Sequence, residues 1–432
     1  MNVNKGLTRL AGLLLVGGVI TAGTACDFDV VNPGPVQDAF LAEPAAQPAL
    51  VNGAGRALAE SMNWVNYTNG AVAREFHPSG STGSYGITLK WQRGELADDE
   101  VGTQWNNGQR ARWLAENAIA IISEAGESEP GLLAQAQLWA GYANRVLGEN
   151  MCQAVIDGGA ALPHTEYLNR AEANFSAAMG AGGDIGMAAT AGRASVRAQL
   201  GNWSGAMSDA GSVPVGFSYK MPYYTTEGDD QRHRLVWATF NEPYKAHTQW
   251  NTWVEDYGLE PTNNPNGDPR VPYRLSSEDG DAAIDCCGTV PWSPQTKYSD
   301  SGGDAEISSG AEMRLLEAEN ALYGNDMATA MSIVNALRTA AGMNTETAAD
   351  MADAWRLYKR EHAIEMWLEG RRYPALRRWA ANGLTENDLH IREQVAGEAT
   401  YRNDGKDNSH LRQRDLCFPI PESEQDTNPN IG

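Results

Sequence analysis

Glu361, His362, Glu365 and Glu369 crowd four groups able to bind a metal or move a proton into one short stretch. A carboxylate-bridged metal pair in a helical protein needs Glu-x-x-His on each of two facing helices. This chain has the reverse order, His362-x-x-Glu365, and has it once. The stretch therefore reads as structural, with no metal. Leu357, Ile364, Trp367 and Leu368 recur around it at helical spacing. Arg360 and Glu361 fall inside that stripe, where an amphipathic helix ordinarily carries Leu. Glu361, Glu365 and Glu369 stand four apart, and like charges so spaced weaken a free helix by roughly 0.2–0.5 kcal/mol per pair. A helix that breaks two local rules at once is compensated by its tertiary context. The expected compensation is an internal ion-pair network joining Arg360, Glu361, Glu365 and Glu369 to Arg371, Arg372, Arg377 and Arg378. Residues 356–379 accordingly read as one long helix running into a basic turn.

Other chemistry finds little support. There is no Gly-x-Ser-x-Gly, His-Glu-x-x-His or phosphate-loop phrase. Asp279-Gly280-Asp281 is a poor fragment of a calcium loop and reads as a turn. Paired acids for glycoside hydrolysis depend on geometry rather than spacing, so composition does not exclude them. No Cys-x-x-Cys pair occurs, which argues against zinc. Cys152, Cys286, Cys287 and Cys417 could pair in an exported protein, with connectivity open; Cys286-Cys287 could also form a vicinal bond.

The aromatic residues carry the stronger signal. Trp outnumbers Phe by 13 to 7, and Tyr adds 15. Trp and Tyr have apolar faces and a polar edge, which suits half-wet surfaces. Sugar rings present C–H faces ringed by hydroxyls, so flat aromatic rings stack on them while Asn, Gln, Asp and Arg bond the hydroxyls. Tyr219, Tyr223, Tyr224, Trp237, Tyr244, Trp250, Trp253, Tyr257, Tyr273, Trp292 and Tyr298 all lie in a loop-rich region, and Trp91 beside Gln92 and Arg93 lies in an earlier one. Trp91, Tyr273 and Trp292 are the leading ligand-binding candidates, with Tyr298 and Trp250 behind them. Trp250 and Trp253, at i,i+3, suit the core of a short helix better than a stacking platform. Trp105, Trp113, Trp139, Trp203 and Trp367 fall in helical segments and read as packing.

The elements that must position these residues are mainly α-helical. Residues 103–215 are Ala-rich and helical in pattern. Ala194, Ala206, Ala210 and Val213 stand at the same offsets as Ala318, Ala330, Val334 and Leu337. Leu200-Gly201-Asn202-Trp203 and Tyr323-Gly324-Asn325-Asp326 lie between the helices of the two pairs. This is the logic of a tetratricopeptide unit, in which small residues let antiparallel helices approach and a Gly-containing turn joins them. An earlier pair runs from Gly141–Gly148 to Ala171, Phe175 and Ala178, interrupted by residues 149–163. Residues 76–99 and 217–304 are crowded with Gly, Pro, Asn and Asp and read as loops with short strands at most. Long irregular regions in a compact domain are usually functional.

At the N-terminus Lys5 and Arg9 precede an apolar stretch from Leu10 to Ile20. That stretch is shorter than the ~20 residues of a membrane-spanning helix and reads as a signal peptide, residues 1–25. Gly23-Thr24-Ala25 before Cys26 forms a loose lipobox, so Cys26 is the expected lipidation site; an ordinary secretory signal with a chance cysteine is the alternative. Residues 26–48 read as a Pro- and Ala-rich tether. Residues 49–432 read as a single domain: an N-terminal part to about 215, a loop-rich middle at about 216–304, and a C-terminal helix pair from about 305. The net charge is −22, and losing Lys5 and Arg9 takes it to −24. So acidic a chain is not expected to bind nucleic acid.

Glu361, Glu365, Leu368-Glu369-Gly370-Arg371-Arg372 and Leu376-Arg377-Arg378-Trp379 resemble the C-terminal signature of the SusD/RagB family of outer-membrane nutrient-binding lipoproteins. Leu416-Cys417-Phe418-Pro419-Ile420-Pro421 followed by Asn428-Pro429-Asn430 resembles a second family phrase, as do Asp27-Phe28-Asp29 near the start and Asp268-Pro269-Arg270 and Gln295-Thr296-Lys297-Tyr298 in the middle. Pro374-Ala375 departs from the family's usual aromatic-Asp pair. The resemblance implies a SusD-like fold with irregular tetratricopeptide-type helix pairs. It implies a surface-exposed lipoprotein, held to the outer membrane by its lipid, that acts as a lid on a SusC-like TonB-dependent transporter. An oligosaccharide, or a peptide, would be its ligand, with no cofactor and no covalent chemistry. A secreted glycoside hydrolase with a helical body and a helical-repeat scaffold without a small ligand are the competing classes.

Overall fold

The computed structural model describes residues 41, 43–79, 90–91, 94–226, 228, 231–240, 245–275, 282–285, 288–389 and 414–431. Cys26, Cys286, Cys287, Gln92, Arg93, Tyr244, the Asp279–Asp281 turn and the signal peptide lie outside them. Six helices build the first half: α1 (Gln47–Val72), α2 (Gly102–Ala125), α3 (Leu132–Asn150), α4 (Thr165–Ala178), α5 (Gly183–Gln199) and α6 (Trp203–Ala210). Each packs against its neighbour in the chain, and α3 also reaches α1 and α5. Small residues permit this. Phe175 of α4 lies between two glycines: a Cβ at Gly141 of α3 would stand 2.6 Å from its ring, and one at Gly192 of α5 would stand 2.5 Å from it. An alanine at either position would have to push the helices apart.

The α5–α6 turn follows its sequence closely. Gly201 takes φ +77°, and the Asn202 side chain accepts the Gly205 N–H at 3.1 Å as an N-cap. The second pair, α9 (Gly310–Tyr323) and α10 (Met327–Ala340), uses Asn325 at φ +57° and Asp326 as cap, accepting the Thr329 N–H at 3.0 Å. All eight residues of the repeated offsets are buried. Ala194, Ala206, Ala210 and Val213 pack with Met313 and Leu316 of α9, so the small-residue seam of the first pair receives two large side chains of the second.

The middle of the chain is irregular, as its composition predicts. It holds β4 (Ser218–Met221), α7 (Arg234–Phe240), β5 (His247–Thr248), α8 (Val254–Tyr257), β6 (Gly258–Leu259), β7 (Asp268–Pro272), β8 (Ala282–Asp285) and β9 (Gly288–Pro291). β8 and β9 form an antiparallel hairpin; β5 pairs with β1 (His77–Pro78), and β4 with β10 (Ala305–Ser309). These short ladders pin the loops to the helical body. β2 (Gln153–Ala154) and β3 (Leu162–Pro163) pair within the loop joining α3 to α4. A disulfide from Cys152 in that loop to Cys417 ties the C-terminal segment to the first half across a sequence separation of 265.

The segment expected to be one long helix is two. α11 (Met351–Glu365) stops before Trp367, and α12 (Arg372–Ala381) follows where a basic turn was expected. The break has a physical cause. Leu368 adopts φ +62° and Gly370 φ +68°. The buried Glu75 carboxylate accepts the Leu368 N–H at 3.1 Å, and the Glu75 carbonyl accepts the Trp367 indole N–H at 2.9 Å. Gly370 passes so close to Asn66 that a Cβ there would lie 2.2 Å from its Oδ1. Tertiary hydrogen bonds thus hold a left-handed turn that a leucine avoids on its own. Glu369 sits beyond the helix end and is not a helical neighbour of Glu365.

Candidate functional site

The charges of this segment are paired, but not with one another as the local sequence suggested. Arg270 of β7 donates to Glu361 at 2.5 Å and also reaches Glu365 and Asp268, the last at 2.7 Å. Arg338 of α10 lies 3.5 Å from Glu361 and bridges to Glu346, which also takes Arg360. Lys297 donates to Glu369 and to the Trp367 carbonyl, both at 2.7 Å. Arg371 clasps Glu149 of α3 at 2.5 and 2.8 Å and reaches Glu312 of α9 at 3.0 Å. Arg145 donates to the same two carboxylates. Arg378 makes two bonds to Glu319 of α9, at 2.8 and 2.7 Å. Arg377 donates instead to backbone carbonyls, that of Met151 at 2.8 Å among them, and Arg372 to the Ala73 carbonyl at 3.0 Å.

Glu361, Glu365 and Glu369 are thus each answered from another element. The second half of the helix, from Leu357 to Ile364, is buried. Burial alone would raise the Glu149 carboxyl; Arg145 and Arg371 outweigh it and hold it down at about 2. Burial raises the Glu75 carboxyl to about 7, against the Leu368 N–H and the nearby Arg372 and Lys297. His362 is buried and pushed well below its ordinary range by desolvation and then by Arg378, Arg372 and Arg371. A neutral imidazole packed edge-on against Tyr358 and Trp379 serves packing. Among the described residues no three His, Cys, Asp or Glu side chains are grouped to hold a metal ion.

The five leading aromatic candidates divide. Trp250 and Trp292 come together with Val290 in a small cluster of their own. Trp250 is half-buried, and His77 meets it edge-on with ring centroids 5.3 Å apart. Trp292 is only 4% exposed; Lys245 and Arg274 stand over its ring at 4.9 and 5.0 Å from the centroid. Trp91 and Tyr273, at 1% and 4% exposure, belong to the main hydrophobic core and offer no ring face to solvent in this conformation. A loop's composition says it is irregular; it does not say how deeply its rings are folded under. Tyr298 is half-buried against His233, whose ring meets it edge-on at 4.3 Å. Desolvation holds His233 down to about 3, so a neutral imidazole faces the phenol.

The open rings lie elsewhere. Tyr224 is 50% exposed and Trp113 of α2 is 52% exposed. Trp113 was expected to pack. The buried stripe of α2 runs through Gly108, Ala111, Ala115, Ala118 and Ile122, and Trp113 falls off it. That stripe was readable in the sequence and would have placed Trp113 outside. No described helix is long and apolar enough to cross a membrane.

Residues 298–432 match the SusD family in sequence. No curated protein matches the chain in sequence. Solved structures share its fold. A SusD superfamily protein from Parabacteroides distasonis is 13% identical with a TM-score of 0.66, over 90% of this chain and 98% of the other. One from Bacteroides vulgatus is 15% identical with a TM-score of 0.64, again over 90% and 98%. Surface glycan-binding protein A from Bacteroides thetaiotaomicron is 12% identical with a TM-score of 0.65, over 89% and 97%. At such identities the likeness speaks for the fold, and the C-terminal match supplies the sequence. That match contains α11, α12 and their partners Glu312, Glu319, Arg338 and Glu346, while Arg145, Glu149, Arg270 and Lys297 lie before it. The C-terminal part of the chain thus carries the sequence pattern of the SusD family, on a fold shared with SusD superfamily structures along most of its length.

Proposed function

We propose that the protein is a lipid-anchored, cell-surface glycan-binding protein that captures an oligosaccharide and delivers it, as a lid, to a TonB-dependent outer-membrane transporter. The observation that carries this reading is the fold shared along nearly its full length with surface glycan-binding proteins such as that of Bacteroides thetaiotaomicron. The N-terminal Cys26 after a signal-like segment supports the anchor. The Trp250–Trp292 cluster supports the ligand. Trp250 is half-buried beside the Thr248 and Gln249 backbone, and Lys245 and Arg274 bring donors to the same edge. A sugar would stack on Trp250, while Trp292, held by its two cation contacts, keeps the cluster's shape. Trp91, Tyr273 and Tyr298 would support the loops from below rather than touch ligand. Binding, not bond cleavage, is the role assigned to the site.

Two measurements test this. Oligosaccharide binding by the purified protein should fall about tenfold with Trp250→Ala, with its thermal midpoint kept. A bound oligosaccharide should be recovered uncleaved after prolonged incubation; release of shorter sugars would favour a hydrolase. Purification from the native membrane in mild detergent should bring down a large barrel in equal amount. A lone lipoprotein, where other barrel complexes survive the same detergent, would refute the lid role while leaving the glycan-binding role open.

A further inference from the structure

A cavity of about 410 Å³ opens beside the N-terminal half of α1. Asn52, Gly55 and Arg56 of α1, Trp139 of α3, and Tyr224 and Gln231 from the segment after β4 line it. Its walls are built rather than incidental. Gly55 leaves room for Trp139 on the α1 backbone: a Cβ there would stand 3.0 Å from the indole nitrogen. The Tyr224 N–H donates to the Gln231 carbonyl at 2.8 Å, which fixes the two across one turn. Tyr224 is half exposed, whereas Gln231 is only 5% exposed. The Gln231 side chain lines the cavity from this low position. A carboxamide both donates and accepts, so at the border of a cavity it suits a ligand hydroxyl.

The cavity is separate from the Trp250–Trp292 cluster. Tyr67, farther along α1, packs on His247 of β5, next to that cluster. Arg56 and Tyr67 are eleven positions apart, or about 16 Å along the helix axis. Among the described residues that line the cavity there is no carboxylate, and Arg56 is the charged side chain. An open phenol face, a second aromatic wall and two carboxamides form a combination that matches a hydroxylated ring. Stacking satisfies its C–H face, and amides answer hydroxyls because they both donate and accept.

We propose that this cavity is a second carbohydrate subsite, taking one neutral pyranose unit, with Tyr224 stacking on the ring and Asn52 and Gln231 bonding its hydroxyls. The proposal rests on the glycan-binding reading above. It is tested with the full-length protein in detergent micelles on an array of neutral and acidic oligosaccharides. Calorimetry then follows with the tightest neutral binder. Asn52 and Tyr224 are exposed, so Asn52→Ala and Tyr224→Ala should leave the melting midpoint unchanged. Tyr224→Ala should weaken binding about tenfold, Asn52→Ala several-fold, and Tyr224→Phe little. If Trp250→Ala weakens binding while both cavity variants bind as the parent does, the subsite is overturned and the glycan-binding reading stands. Binding of acidic glycans alone overturns the neutral class assigned here. An array empty for the parent protein overturns the reading itself, and the subsite with it.

Discussion

Replacing Arg378 by methionine would test whether the family signature is structural. Arg378 is 4% exposed and Glu319 is fully buried, and the guanidinium fork meets the carboxylate through two bonds near 2.8 Å. Among the described residues, the Tyr358 hydroxyl also donates to Glu319, at 2.7 Å. Arg378→Met therefore strands a buried carboxylate without its counter-charge, with a tyrosine hydroxyl still donating to it. Breaking a buried pair from one side costs about 3–5 kcal/mol. For a mature chain of this length the unfolding entropy is on the order of 0.8 kcal/mol per kelvin, so the midpoint should fall by about 4–6 °C. Glu319→Leu should cost a similar amount, because it leaves the buried guanidinium without its counter-charge, with the neutral Gln199 amide oxygen at 3.1 Å still accepting from it. The double variant removes both charges. It still deprives the Tyr358 hydroxyl of its acceptor, which leaves a deficit of about 1–3 kcal/mol. The two single losses should thus exceed the double loss by about 3 kcal/mol or more in a double-mutant cycle. Urea unfolding of the four proteins, followed by far-ultraviolet circular dichroism, supplies the cycle. A single-variant loss under about 1 kcal/mol, or a coupling indistinguishable from zero, would refute the claim that these charges are bound to one another inside the fold.

Other perturbations have signed outcomes. Gly370→Ala should destabilise by about 2–4 kcal/mol in the same melts, because φ +68° and the 2.2 Å approach to Asn66 both penalise a Cβ. Reducing the Cys152–Cys417 bond, which closes a loop over a separation of 265, should cost as much as about 5 kcal/mol; an unchanged midpoint in reductant would contradict it. The pH profile should fall on both sides. The Glu149 carboxyl, held at about 2, gives stability that is present above its unfolded value of about 4.3 and lost as pH falls toward 2. Glu75, raised by burial to about 7, gives stability that is full below about 4.3 and lost as pH rises through 7; Glu75→Gln should flatten the fall between pH 5 and 8, and an unaltered slope would count against it.

How far the sequence revealed the structure depended on the range of the interaction. The two tetratricopeptide-type pairs were legible because helix approach is a local demand: Ala194, Ala206 and Ala210 must be small wherever α5 meets α6, and the same offsets recur at Ala318, Ala330 and Val334. Their caps were legible too, since Asn202 and Asp326 act within three residues of themselves. The partners of the buried charges were not. Arg270 lies 91 residues from Glu361, and Arg371 lies 222 from Glu149, and periodicity has no memory over such distances. Among the aromatics, loop composition identified Trp250 and Trp292 but gave no depth, so Trp91 and Tyr273 were assigned a surface role while lying in the core. The same limit hid the cavity at Tyr224: it joins α1, α3 and the segment after β4, and one of its walls depends on a glycine, Gly55, whose purpose becomes visible only when Trp139 is placed against it. A motif that pairs residues far apart in sequence therefore appears, in sequence, as a local violation. Arg360 and Glu361 in an apolar stripe and Leu368 in a left-handed turn break helical rules because α11 and α12 are fitted to β7, α3 and α9 rather than to their own periodicity. A sequence reader should expect the long-range contacts where local consistency fails, and the Arg378–Glu319 cycle measures how strongly one of them is made.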